Sequence, residues 1–280
     1  MIWVKGKIVA DDALSISVLD RTFEHGLGLF ETLRTWDGRP TLLGRHLDRL
    51  RRSADLLRVA LDDATLPGAE DVCRLLEAEG LADGVIRITL SGGLGPETPG
   101  ILWMRARPLP SPFDLSGVRV RSTWRILEGD PLARHKSLNY WARRLAFEEA
   151  TAAGFQEDLG RNGSGRIFEG SRTNLFLVSE SILITPGFEG HRTPFLPGIM
   201  AGVVKERARA LGMVVQTDDL GTSLDELERA DEVFLTNSGR GIIPVAELGP
   251  HDPEEPLRVV RYEVPGPVTR LLLDELNAWL

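Results

Sequence analysis

The chain has 280 residues, room for roughly two domains at ~150 residues each, and its 42% hydrophobic and 26% charged residues are the balance of a globular protein with a sizeable core. Its 33 basic and 41 acidic residues leave a net charge of −8 with no basic tract, so nucleic-acid binding is not expected. One cysteine, Cys73, excludes an internal disulfide framework, and the five histidines (His25, His46, His135, His191, His251) include no pair at metal-ligand spacing, so no metal site is expected.

Ile2, Val4, Gly6 and Ile8 alternate around a turn and predict a short N-terminal hairpin. Met1–Lys7 lacks the apolar core of a secretory signal, and no apolar run approaches the ~18 residues of a membrane span; a cytoplasmic location is expected. Asp20–Arg34 reads as a loop feeding a strand, with Gly26 and Gly28 where the backbone approaches closely or takes a positive φ. Leu43, Leu47, Leu50, Ala54, Leu57 and Leu61 recur at spacings of 4, 3, 4, 3 and 4, which predicts an amphipathic helix. Val85–Leu90 and Ile101–Met104 read as strands around a Gly/Pro-rich turn. Strands and helices in mixed order predict an α/β (α+β) fold.

Arg107–Gly117 holds three prolines in five positions and reads as a linker. The expected organisation is a small N-terminal α/β domain (1–112), a linker (113–118) and a larger C-terminal domain (119–280). The latter opens on a strand at Val118. A helix is expected from about Leu138 to Ala153, closed by Gly154. Two strands around a tight turn span Arg166–Val178. A helix opens after Leu196-Pro-Gly and ends near Gly212. Glu232–Thr236 is a strand, Asn237–Gly241 a turn, and Val268–Leu280 a last helix.

The chain has no G-x-S-x-G elbow, no phosphate-binding P-loop, no G-x-G-x-x-G and no H-E-x-x-H. Cys73 lies in an expected helix and reads as packed rather than nucleophilic. Only four of the 33 basic residues are lysines. Lys5 and Lys7 flank the first turn, and Lys205 falls on what reads as a solvated helix face. Lys136 stands alone at the expected mouth of a helix. There the dipole would favour the neutral amine that attacks a carbonyl; the other reading is an exposed loop lysine. Three features could bind an anion: Arg49, off the leucine stripe; the Ile199 and Met200 amides after Pro197-Gly198; and Ser238 in a turn after a strand. Each could equally be a plain surface arginine, a turn and a turn former. Glu169 at a strand end is ordinarily exposed.

In order, these segments resemble the class IV aminotransferases, the fold-type IV pyridoxal-phosphate enzymes. The matching stretches are Asp20-Arg with Gly26-x-Gly28-x-Phe-Glu-Thr, His46-Leu-Asp-Arg49, His135-Lys136-Ser-Leu-Asn139, Glu169-Gly-Ser-Arg-Thr-Asn174, Leu196-Pro-Gly-Ile199, Asp231-Glu-Val-Phe and Pro244-Val. The resemblance implies a small N-terminal α/β domain, a larger C-terminal pseudo-barrel domain and pyridoxal 5′-phosphate between them. It implies Lys136 as the catalytic, Schiff-base lysine and Glu169 as the partner of the pyridine nitrogen. Arg49, the Ile199 and Met200 amides and Ser238 would form the phosphate cup, and Tyr140 would contact the ring hydroxyl. It further implies a homodimer that moves an amino group from an amino acid or amine to a 2-oxo acid.

Departures limit the subfamily. Gly198-Ile-Met-Ala201 and Asn237-Ser-Gly-Arg240 differ from the branched-chain pattern, and Phe30 stands where D-amino-acid enzymes carry tyrosine. The alternative is 4-amino-4-deoxychorismate lyase, releasing pyruvate and p-aminobenzoate; a non-catalytic relative is more distant. The lyase needs an added cation for a second carboxylate, and Arg34, Arg87, Arg105, Arg107 and Arg240 qualify. Transamination is the expected activity, because Ser91-Gly-Gly-Leu-Gly-Pro-Glu lacks the lyase branch's arginine-bearing glycine-rich pattern.

Overall fold

A computed structural model describes residues 1–110, 115–126, 129–187, 195–249 and 259–279 of the protein. Phe113 and Asp114, at the start of the expected linker, lie outside the described residues, as do His191, His251 and Leu280. The chain divides into two compact units, Met1–Ser111 with His135–Tyr140, and Pro112–Arg134 with Trp141–Leu280.

The first unit is an antiparallel sheet of β1 (Ile2–Val4), β2 (Lys7–Val9), β3 (Gly28–Trp36), β4 (Arg39–Pro40), β5 (Gly84–Ser91) and β6 (Leu102–Pro108), in the order β2-β1-β6-β5-β3-β4. Lys5 and Gly6 both take positive φ (48° and 78°), the requirement of a tight two-residue hairpin turn. Side chains alternate across the sheet. Trp3, Leu29, Leu33, Ile86, Ile88, Leu90, Leu102 and Met104 form the core with α2 (Leu43–Leu56) and α3 (Ala69–Glu79), while α1 (Arg21–His25) is a single capped turn. Two sequence expectations change here. The leucine-stripe helix stops at Leu56, because Arg58 turns the chain at φ 54°, yet Leu57 and Leu61 still pack on the core. Cys73 is exposed rather than packed: α3 buries Val72, Leu75 and Leu76, and the thiol sits 3.4 Å from the Gly38 carbonyl.

The His135–Tyr140 segment belongs to this unit because it lines the start of β3. Phe30 N donates to the Lys136 carbonyl and Leu138 N to the Gly28 carbonyl, both at 2.9 Å. A Cβ on Gly28 (φ 143°) would lie 2.6 Å from Leu138 Cδ1, so this approach requires glycine. Extended pairing also delays the next helix: α4 spans Trp141–Ala152 instead of starting near Leu138.

The second unit carries β7 (Val118–Arg121), β8 (Glu157–Arg161), β9 (Ile167–Gly170), β10 (Asn174–Ser179), β11 (Ile182–Pro186), β12 (Val215–Asp218), β13 (Glu232–Asn237), β14 (Gly241–Leu248) and β15 (Val260–Arg261). The pairings β10-β13-β14-β7-β8-β9 return to β10 through Asn174 and Glu169, which closes a barrel; β11 and β12 extend from β10 and β15 from β14. Val120, Leu159, Ile167, Leu175, Leu235 and Val245 are among its buried side chains. Its other helices are α5 (Ile199–Ala210), α6 (Leu224–Arg229) and α7 (Pro267–Trp279). Lys205 on α5 is half-buried, not solvated, and burial pushes its amine pKa down. Among the described residues no helix is long and apolar enough to cross a membrane.

Candidate active site

Lys136 is half-buried, held through its own carbonyl by β3. Its Nζ lies 4.5 Å from the centre of the Phe30 ring and 5.6 Å from that of Tyr140. The two rings meet edge to face, 5.3 Å apart at 84°. The amine therefore rests on aromatic walls, which favour it when charged and confine it when neutral. Tyr140 and Lys136 are thus brought together. The expected helix-dipole effect on Lys136 is not borne out: α4 begins five residues later, and the dipole acts over the terminal turn only. His135 Nδ1 meets Ser53 Oγ at 2.9 Å and ties this segment to α2.

Arg49 is not a surface arginine. It is 7% exposed, and its Nε and Nη2 donate to the two oxygens of Glu31 at 2.8 and 2.7 Å. Alternation along β3 sends Glu31 to the helix side, where a carboxylate among leucines must be paired. Burial alone would raise the Glu31 pKa, but the Arg49 charge and bonds from Arg49 and His46 hold it at about 2. His46 Nδ1 lies 2.7 Å from Glu31 Oε2. Burial pushes the His46 pKa down despite that carboxylate, so the imidazole is neutral and donates from Nδ1. The remaining Nε2 has no partner among the described residues.

In the second unit, register gathers the expected residues at one end of the barrel. Glu169 on β9 pairs with Asn174 on β10, which pairs with Thr236 on β13, and Ser238 follows two residues on. Glu169 is 2% exposed; Arg143 donates to its Oε1, and Leu196 N lies 3.3 Å from its Oε2. Asn174 Nδ2 donates to the Leu196 carbonyl at 2.9 Å. Gly198 is the N-cap of α5, and no side chain caps that helix. A Cβ on Gly198 would come within 1.8 Å of Asn174 Oδ1, so glycine lets the α5 N-terminus, with Ile199 and Met200, sit against β10. Asn237 Oδ1 accepts from Gly239 N and Arg240 N at 3.0 and 2.9 Å and so shapes the turn around Ser238.

Sequence reasoning missed the roles of Glu31, His46, Arg143 and Thr236. Glu31 had a signal, a carboxylate inside an apolar strand. Arg143 had none, because its partner is 26 residues away in sequence. Thr236 Oγ1 is buried without a partner among the described residues, close in register to Ser238.

Each unit, taken by itself, carries groups of the kind pyridoxal phosphate takes: the first has a confined amine and an oriented guanidinium, and the second has a buried carboxylate, an uncapped twelve-residue helix start and an orphaned hydroxyl, groups that suit a pyridinium and a phosphate. No group of three or more His, Cys, Asp and Glu able to hold a metal occurs among the described residues.

A family profile described as Amino-transferase class IV matches residues 28–248. The branched-chain-amino-acid aminotransferase of Salmonella typhimurium is 28% identical over 270 residues, 88% of this chain and 84% of that protein. The crystal structure of 4-amino-4-deoxychorismate lyase from Pseudomonas aeruginosa superposes with a TM-score of 0.81 at 34% identity, covering 100% of this chain and 99% of that one. The T.th. branched-chain amino acid aminotransferase, complexed with N-(5′-phosphopyridoxyl)-L-glutamate, gives a TM-score of 0.81 at 26% identity, with 99% and 93% covered. The chain has the fold of the fold-type IV pyridoxal-phosphate enzymes and belongs to the class IV aminotransferase family.

Proposed function

We propose that this chain is a pyridoxal-phosphate-dependent aminotransferase that moves an amino group between an amino acid or amine and a 2-oxo acid. The observation that carries the reading is the placement of Lys136: its backbone is fixed to β3, and its amine lies over Phe30 and Tyr140. The bound cofactor supplies an electron sink for the substrate's α-carbon. Lys136 would hold the cofactor through its Nζ, and the same amine would take the substrate's α-proton and hold it for return. Glu169 would partner the pyridine nitrogen and keep a proton on it, and Arg143, donating to its Oε1, would hold the carboxylate in place. Arg49, the Ile199 and Met200 amides and Ser238 hold the phosphate, and charge-assisted bonds give that grip its strength. Tyr140 contacts the ring hydroxyl.

A second reading, release of pyruvate from aminodeoxychorismate, begins with the same proton abstraction by Lys136. The 34% identity to the P. aeruginosa lyase favours keeping it. The protein acts in the cytoplasm as a homodimer; the exposed apolar run of Val18, Leu19 and Phe23 (78%, 64% and 63% exposed) supports a covered surface. The small domain (1–112), linker (113–118) and large domain (119–280) are the division proposed from the sequence, with the His135–Tyr140 segment clustering with the small domain. The test is a substrate panel: both enantiomers of each amino donor with pyruvate or 2-oxoglutarate, and aminodeoxychorismate separately. Keto-acid exchange without p-aminobenzoate is the expected result, the reverse pattern assigns the lyase, and neither product from any donor refutes the proposal.

A further inference from the structure

Glu157, on β8, is a buried carboxylate, 2% exposed. Among the described residues every hydrogen bond it accepts comes from a neutral donor, and it makes no ion pair. The adjoining Asp158, by contrast, is paired with Arg121 at 2.8 Å. The partners of Glu157 are the turn that joins β9 to β10. Ser171 donates to its Oε1 twice, from N at 3.0 Å and from Oγ. Arg172 N and Thr173 Oγ1 donate to its Oε2 at 3.3 and 3.0 Å. Asp158 N adds a bond to Oε1 at 3.0 Å. β9 ends at Gly170 and β10 begins at Asn174, so each residue of the turn is bound to this one side chain from the neighbouring strand. Gly170 makes room for it: a Cβ there would lie 2.8 Å from Glu157 Cγ.

A carboxylate costs more to bury than an amide, so merely satisfying the N–H groups of a turn does not call for one. What the charge adds is strength, since bonds to an ionised acceptor are about twice as strong as neutral ones. Glutamine is no equivalent. Both oxygens face main-chain N–H groups, which cannot accept, so the NH2 of a glutamine would oppose a donor in either orientation. The residues flanking this clamped turn are Glu169 and Asn174, a directly opposed cross-strand pair. Together they bracket Leu196: its N donates to Glu169 Oε2 at 3.3 Å, and its carbonyl accepts from Asn174 Nδ2 at 2.9 Å. The rigidity of the turn therefore passes to the Glu169 carboxylate and to the chain that enters α5.

We propose that Glu157 is a positioning residue: by clamping Ser171, Arg172 and Thr173 it fixes the Glu169 carboxylate in the direction that keeps a proton on the pyridine nitrogen. The proposal rests on the reading of Glu169 as the partner of that nitrogen. Glu157 acts through Glu169 and is not itself a catalytic residue.

The experiment reads the ring nitrogen directly, by nitrogen-15 NMR of the holoenzyme carrying ring-labelled pyridoxal phosphate, alongside cofactor affinity. Glu169→Gln is the reference for a lost partner. The parent is expected to give the signal of a protonated pyridine and Glu169→Gln that of a neutral one. Glu157→Gln is expected to move the signal from the first toward the second and to bind the cofactor ~10-fold more weakly. Thr173→Val removes a single bond at little change of shape and keeps the test open should Glu157→Gln fail to fold. It is expected to shift the signal the same way and to weaken the cofactor by about threefold. In a Glu169→Gln background either substitution should change affinity by no more than about twofold, because groups that act as one unit are not additive. A lower melting temperature with the parent's ring-nitrogen signal and affinity would make Glu157 purely structural and overturn the proposal. Equal weakening in both backgrounds would overturn it too. A protonated signal in Glu169→Gln refutes instead the reading of Glu169, and the proposal falls with it; the two failures are told apart by which variant leaves the signal unmoved.

Discussion

Replacing Glu31 by glutamine tests the buried charge assembly that orients Arg49. Glu31 is 1% exposed and bonds both Arg49 and His46. Its carboxyl is depressed from 4.5 to about 2; at ~1.4 kcal/mol per pH unit this corresponds to ~3 kcal/mol of folding stability. Leaving a buried ion without its partner costs ~3–5 kcal/mol by analogy with other proteins, the same order. The sign follows from the depression. The contribution is complete above pH 4.5 and is lost as pH falls from 4.5 toward 2. Urea unfolding at pH 7 and pH 3 should therefore show Glu31→Gln less stable by ~3 kcal/mol at the higher pH and by only ~1 kcal/mol at the lower. The variant should also bind pyridoxal phosphate more weakly while binding unphosphorylated pyridoxal unchanged, because its effect runs through Arg49. Equal stability at pH 7, or a gap that does not narrow at pH 3, refutes the reasoning.

Two further substitutions probe the second unit. Gly198→Ala places a methyl group 1.8 Å from Asn174 Oδ1, and Asn174 is held by its bond to the Leu196 carbonyl. Thermal unfolding should show a loss of ~1–3 kcal/mol, with weaker cofactor binding by fluorescence titration; an unchanged melting temperature and unchanged affinity would mean that the turn relaxes freely. Glu232 accepts from Val268 N and Thr269 N at 2.8 and 2.7 Å and so caps α7. Glu232→Ala should cost ~1–2 kcal/mol in urea unfolding without affecting cofactor affinity, and a stability equal to that of the parent would discount the cap.

The sequence made visible what depends on local pattern. Leucine spacing marked α2, alternation marked the β1–β2 hairpin, the flanking Gly/Pro-rich turn marked β5 and β6, and Leu196-Pro-Gly marked the start of α5. Spacing was less informative where the deciding partner is distant. Arg49 lies between two stripe residues and reads as exposed until β3 brings Glu31 beneath it, 18 positions earlier in the chain. Lys136 reads as helix-proximal because the bonds that hold it extended come from Gly28 and Phe30, more than a hundred residues away. Cys73 adjoins Val72, yet a one-residue step turns a helical side chain by about a quarter of a turn, which sends it outward. Barrel closure through Asn174 and Glu169 follows from a single register pair that no periodicity encodes. The ordered motifs, by contrast, identified the family without any of these contacts.

The most direct measurement is borohydride reduction of the protein in the presence of pyridoxal phosphate, followed by peptide mapping. The chain offers only four lysines, so the assignment is unambiguous. A stable phosphopyridoxyl mass on the peptide containing Lys136, and on no other, is the expected result. The same mass on Lys5, Lys7 or Lys205, or on no lysine at all, would contradict the account.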